Sequence, residues 1–191
     1  MYFHYFRRKW CKSIYFCYRL KLSIIEEKKG CVEMEVILVR HGIAEDKDLR
    51  DDDLKRHLTD EGVERIRQLM PQLSEKFQPI EDRNVLIWSS PANRAMETAH
   101  VIAHEFFIEN STIHDFIYEG AFDSFSKELS KELAKDSKDT TLFVVGHQPS
   151  LGQWYTQLTG DVLKIKKGMF LSVDVQSVTP IAANPKWTLR P

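Results

Sequence analysis

The sequence predicts an α/β fold, a three-layer αβα sandwich around a mostly parallel central sheet. Three observations predict it. Short β-rich runs at 36–39, 84–88 and 141–145 read as buried strands. Segments with apolar residues at helical spacing alternate with them. The three runs deliver polar residues at their C-terminal ends: Arg40 and His41, Ser89 and Ser90, and His147. Open parallel sheets place ligand sites beyond those ends.

Val36-Ile37-Leu38-Val39 is a continuous apolar run ending at Arg40-His41-Gly42. Residues 43–58 are dense in charge and read as a surface loop. Within it, Asp51-Asp52-Asp53 reads as a solvated stretch and not as a cation site. Thr59 is a good N-cap, and Asp60 and Glu61 suit the positive end of a helix dipole. Val63, Ile66, Leu69 and Met70 recur at helical spacing, and Leu73 and Phe77 continue the stripe past Pro71. The strand at 84–88 ends at Ser89-Ser90-Pro91, and a helix follows from about Ala92 to about Phe107. Residues 112–116 read as a short strand. Phe125, Leu129 and Leu133 mark an amphipathic helix over 125–134. The strand at 141–145 ends at Gly146-His147-Gln148-Pro149 and precedes a helix over about 150–158. Residues 169–175 and 187–189 read as further strands. His100 and His104 stand four apart on a helix without a recognisable third ligand, and the Lys164–Lys167 cluster reads as surface.

With 191 residues, the chain is long enough for one domain with a sizeable core. A net charge of −1 gives no general argument for a nucleic-acid partner. No apolar run is long enough for a membrane span, so no stable membrane insertion is expected. Composition changes at residue 33. Residues 1–33 carry eight Lys/Arg against three Glu, eight of the 21 aromatics and all three cysteines, Cys11, Cys17 and Cys31. They read as a basic, aromatic extension outside the fold, and 34–191 as the functional domain. A basic arm of this kind could also touch an anionic membrane surface or RNA. Without cysteine, residues 34–191 have no thiolate nucleophile, disulfide framework or thiolate metal site. A reducing, cytoplasmic location is the simplest reading.

His41, His147, Arg40, Arg94 and Arg56 carry the chemistry. Arginine matches phosphate bidentately and keeps its charge. A neutral imidazole can attack phosphorus and form a covalent intermediate. Adjacent cations stabilise charge that builds on the equatorial oxygens.

Four blocks in this order resemble the histidine phosphatase superfamily, the branch that includes phosphoglycerate mutases. They are Leu38-Val39-Arg40-His41-Gly42, Arg56-His57-Leu58-Thr59-Asp60-Glu61-Gly62, Trp88-Ser89-Ser90-Pro91-Ala92-Asn93-Arg94-Ala95-Met96-Glu97-Thr98-Ala99 and Val144-Val145-Gly146-His147-Gln148-Pro149. The second block and the short domain look most like the SixA-type phosphohistidine phosphatases. The resemblance implies a phosphoglycerate mutase-like fold with His41 as nucleophile. Arg40, Arg56, Arg94 and His147 would hold phosphoryl oxygens, and Gly42 would let the backbone approach the anion. Glu119 lies where the family sometimes has a general acid. No cofactor and no metal are expected, because the arginines supply the positive charge. The implied activity is hydrolysis of phosphohistidine on a phosphotransfer or relay protein by a monomeric enzyme. Hydrolysis of small phosphoesters or phosphoanhydrides is a first alternative. A non-catalytic phosphoprotein-binding module is a second.

Overall fold

A computed structural model describes residues 34–76, 84–135 and 140–191. The expectations for residues 1–33 and for Phe77 lie outside the described residues. In chain order the elements are β1 (Met34–Arg40), α1 (Asp60–Lys76), β2 (Asn84–Ser89), α2 (Asn93–Phe106), β3 (Ser111–Ile113), α3 (Asp115–Glu119), α4 (Phe122–Leu133), β4 (Thr140–Gly146), α5 (Ser150–Thr159), β5 (Phe170–Val178) and β6 (Ile181–Leu189). Two 3-10 turns, Lys47–Leu49 and Asp53–Lys55, lie between β1 and α1.

The six strands form one sheet in the order β3-β2-β4-β1-β5-β6. The β3, β2, β4 and β1 strands run parallel, while β5 and β6 are antiparallel additions. The sheet is therefore mixed. Only Thr179 and Pro180 separate β5 from β6, and so short a connection can join only antiparallel strands.

Successive strand residues point to opposite faces, so each apolar run feeds two cores. Val36, Leu38, Leu142 and Val144 join Phe125 and Leu129 of α4 and Leu151, Trp154 and Leu158 of α5. Ile37, Val39, Ile87, Phe143 and Val145 join Ile66, Leu69, Met70 and Leu73 of α1 and Ala95, Ala99 and Ile102 of α2. Helices thus cover both faces and give the three layers. On the first face, the Phe125 and Trp154 rings stack at 4.5 Å between centroids, tying α4 to α5.

Two local expectations change. The strand expected over 112–116 ends at Ile113, and Asp115 and Phe116 open a helix instead. Among the described residues β3 pairs only with β2, and past Ile113 the backbone turns, with Ile117 N–H donating to the His114 carbonyl. That turn buries Ile117 in the core. The last strand starts at Ile181, six residues before the expected start. Pro185 hides it in the sequence, because proline cannot donate to a ladder. β6 tolerates Pro185 as an edge strand with register shifts along its pairing with β5.

Register places the site. Arg40 pairs with Gly146 and Ser89 with Val145, so β1, β4 and β2 finish at one level. The residues that follow, His41, His147 and Ser90, therefore emerge side by side, although His41 and His147 are over a hundred positions apart.

Candidate active site

Beyond these three strand ends lies a cavity of about 710 Å³. Arg40, His41, Arg56, Arg94, Glu119 and His147 all line it. Those six sequence-predicted residues meet at one site. Gly42 does not line the cavity.

His41 is buried at the end of β1. Its Nδ1 lies 2.8 Å from the Gly42 carbonyl oxygen. A carbonyl only accepts, so Nδ1 carries the proton and donates. Burial pushes the His41 pKa down to about 3; His147, Arg94 and Arg40 add to this, against the Gly42 carbonyl. The imidazole is therefore neutral at neutral pH, with a lone pair on Nε2. Arg94 Nε stands 3.4 Å from that nitrogen.

His147 follows β4, and its ring centroid is 5.0 Å from that of His41. Its Nε2 lies 2.8 Å from Ser90 Oγ. Its Nδ1 is buried without a partner among the described residues. Burial, then Arg94, pushes the His147 pKa down to about 4.

These two shifts fix a pH dependence of stability. In the unfolded chain an imidazole titrates near 6.5, so below that pH the unfolded state binds protons that the folded state refuses. Stability is then lost as pH falls from about 6.5 toward the folded values of about 4 and 3. Thermal scans are expected to show Tm falling across this window. The slope should flatten in a His41→Gln, His147→Gln double variant; an unchanged slope would assign the loss to other groups.

Arginines are held by backbone as well as by charge. Arg56 Nε and Nη2 both donate to the Glu45 carbonyl, at 2.8 and 2.5 Å. Arg94 sits in the first turn of α2, and its Nη1 donates to the Asp53 carbonyl at 2.5 Å. Arg40 Nη1 donates to the Ile165 carbonyl at 2.8 Å, and its buried Nε has no partner among the described residues. The start of α2 also anchors the Arg56 segment: Arg94 N–H donates to the Arg56 carbonyl, and Glu97 accepts from Leu58 N–H at 2.6 Å.

The structure adds to the sequence expectations at Gly42, Asp53, the lysine cluster and Tyr118. Gly42 donates its N–H to Thr98 Oγ1 at 3.2 Å, and a Cβ there would stand 2.7 Å from Ile66 Cδ1. Its smallness serves packing against α1, and its carbonyl orients His41. Asp53 is half-buried and paired, not free in solvent. Its carboxylate accepts from Arg56 Nη1 and Arg94 Nη2, both at 2.7 Å. Burial pushes the Asp53 pKa up, but the hydrogen bonds from Arg56 and Arg94 outweigh it and hold the carboxyl below its ordinary value. In the lysine cluster Ile165 is buried and Lys167 lines the cavity. Tyr118 also lines the cavity and meets the edge of His147 at 5.6 Å between centroids. Sequence reasoning missed Asp53, Lys167 and Tyr118. For Asp53, its position three residues before Arg56 was a usable signal.

Among the described residues, no group of three or more His, Cys, Asp or Glu is arranged to hold a metal ion. None of their helices is long and apolar enough to cross a membrane.

A model of the histidine phosphatase superfamily (branch 1) matches residues 36–144. An uncharacterized protein of Picosynechococcus sp. is 31% identical over 174 residues, covering 82% of this chain and 99% of that protein. Among solved structures, the protein histidine phosphatase SixA complexed with tungstate matches with a TM-score of 0.68 at 19% identity. That match covers 83% of this chain and 97% of the other. The phosphoglycerate mutase of Plasmodium falciparum matches with a TM-score of 0.59 at 16% identity, covering 84% of this chain and 95% of the other. At these identities the likeness to the two structures is one of fold.

Proposed function

We infer that this chain, which belongs to the histidine phosphatase superfamily (branch 1), is a phosphatase acting on phosphohistidine in protein substrates. The observation that carries this reading is the state of His41. It is a neutral imidazole, its proton is committed to the Gly42 carbonyl, and its Nε2 lone pair stands among arginines.

His41 Nε2 attacks phosphorus, and the bond from phosphorus to the substrate imidazole breaks. Arg40, Arg56 and Arg94 hold the phosphoryl oxygens as charge develops on them. Water then attacks the phosphoryl group on His41. Inorganic phosphate leaves, and the Nε2 lone pair is restored. The arginines supply the positive charge, so the reaction needs no metal.

The Asp53 carboxylate favours this substrate class. A phosphomonoester leaves as an alkoxide and needs a proton from an acid. Asp53 is held ionised by two arginines and cannot serve readily. A phosphohistidine ring that carries a proton on its other nitrogen leaves as neutral imidazole, whose conjugate acid has an ordinary pKa of about 6.5, so its departure needs far less help from an acid in the cavity. The cavity volume of about 710 Å³ leaves room beyond a phosphoryl group for a side chain on a protein surface. A second reading, hydrolysis of small phosphoesters, is favoured by Glu119 in the cavity wall.

Phosphate release in EDTA separates the two. A phosphohistidine-bearing protein is expected to be hydrolysed with a kcat/KM at least about a hundredfold above that for an alkyl phosphate, the gap set by leaving-group pKa. Faster turnover of the alkyl phosphate, abolished by Glu119→Gln, would overturn the phosphohistidine reading and establish the second.

A further inference from the structure

The cavity already holds an anion of its own. The Asp53 carboxylate lies in the fork between Arg56 and Arg94 and takes one N–H from each at 2.7 Å. Those are guanidinium groups that the proposed reaction needs for phosphoryl oxygens, and the inference rests on that reading.

Asp53 is not what keeps the two arginines in place. Arg56 is fixed twice to the Glu45 carbonyl, and Arg94 is fixed to the backbone carbonyl of Asp53. Both anchors survive if the carboxylate turns away. The Asp53 side chain is 40% exposed and sits on a short 3-10 turn at the cavity wall. Rotation about its own side-chain bonds would free both N–H groups without moving the backbone. A carboxylate and a phosphoryl dianion cannot share these donors without strong repulsion at such close range.

We propose that Asp53 is a built-in occupant of the phosphoryl site. An incoming phosphoryl group displaces it, and it returns to the arginine fork as inorganic phosphate leaves. It thereby sets the affinity of the site for anions and the rate of product release, while touching none of the reacting atoms. Weakly binding anions fail to displace it, so the pocket stays clear for phosphoryl groups.

Titration calorimetry with orthophosphate, on the full chain, tests this with Asp53→Asn and Asp53→Ala. Asparagine keeps the shape and one acceptor but removes the charge. Both variants are expected to bind orthophosphate at least about tenfold more tightly than wild type, as expected for removing a like charge at contact distance. Product inhibition should tighten in parallel, and kcat and KM should fall together. Should either variant, melting with the wild type, bind orthophosphate equally or more weakly, the carboxylate is a positioning group and the proposal fails. Should neither wild type nor variants bind orthophosphate, the phosphoryl-site reading fails and this proposal with it.

Discussion

Replacing His41 with alanine is expected to abolish turnover, lowering kcat by about four orders of magnitude or more. The reason is local. His41 is the imidazole whose proton is pinned to a backbone carbonyl and whose other nitrogen stands 3.4 Å from Arg94 Nε. His147 is the less available imidazole, because Ser90 Oγ holds its Nε2 at 2.8 Å, a closer contact than the 3.4 Å hydrogen bond from Arg94 Nε to His41 Nε2. The arginines proposed to hold phosphate are anchored elsewhere, to the carbonyls of Glu45, Asp53 and Ile165. Orthophosphate binding should therefore stay within a few-fold of wild type, roughly the change expected when uniform binding is retained. Acid quenching during turnover should trap a phosphoenzyme in the wild type and none in the variant. Appreciable turnover by His41→Ala would mean that water attacks the substrate directly, and the covalent route would be wrong.

Arg94→Ala is expected to cost about a thousandfold in kcat/KM, comparable to removing a preorganised oxyanion donor. Arg94 touches both halves of the site: its Nε donates to His41 Nε2 and its two Nη groups hold Asp53. Losing it removes positive charge from where the proposed reaction places the phosphoryl oxygens. Arg94→Lys should recover little of the loss, because a point charge on a flexible stem cannot reproduce a planar fork held at three nitrogens. Steady-state kinetics on the three proteins, with thermal melts to confirm folding, decide it. Full rescue by lysine would show that only charge matters and that the fork geometry is incidental.

Much of the molecule was legible because its signals are local. Val36-Ile37-Leu38-Val39 announces a strand buried on both faces, and its residues do divide between the two cores. The α1 stripe of Ile66, Leu69, Met70 and Leu73 is readable as one helical face, and Pro71 does not interrupt it. β6 was largely illegible. Its residues alternate poorly and include Pro185, since an exposed edge strand needs neither burial nor a complete ladder. The helix at Asp115–Glu119 escaped for a related reason: one turn is too short to show a period.

Residue types and strand ends were determined by the sequence alone: which histidines and arginines exist, and that they follow runs able to form parallel strands. Register decided that they meet, because Arg40 pairs with Gly146 and Ser89 with Val145. Tertiary structure also decided what Asp53 is. In the sequence it is the third of three aspartates in a charged loop. In the fold its carboxylate faces Arg94, 41 positions away, and is held in the arginine fork. A charge acquires its role from the partners within a few ångströms of it, and folding, not local sequence, brings those partners there.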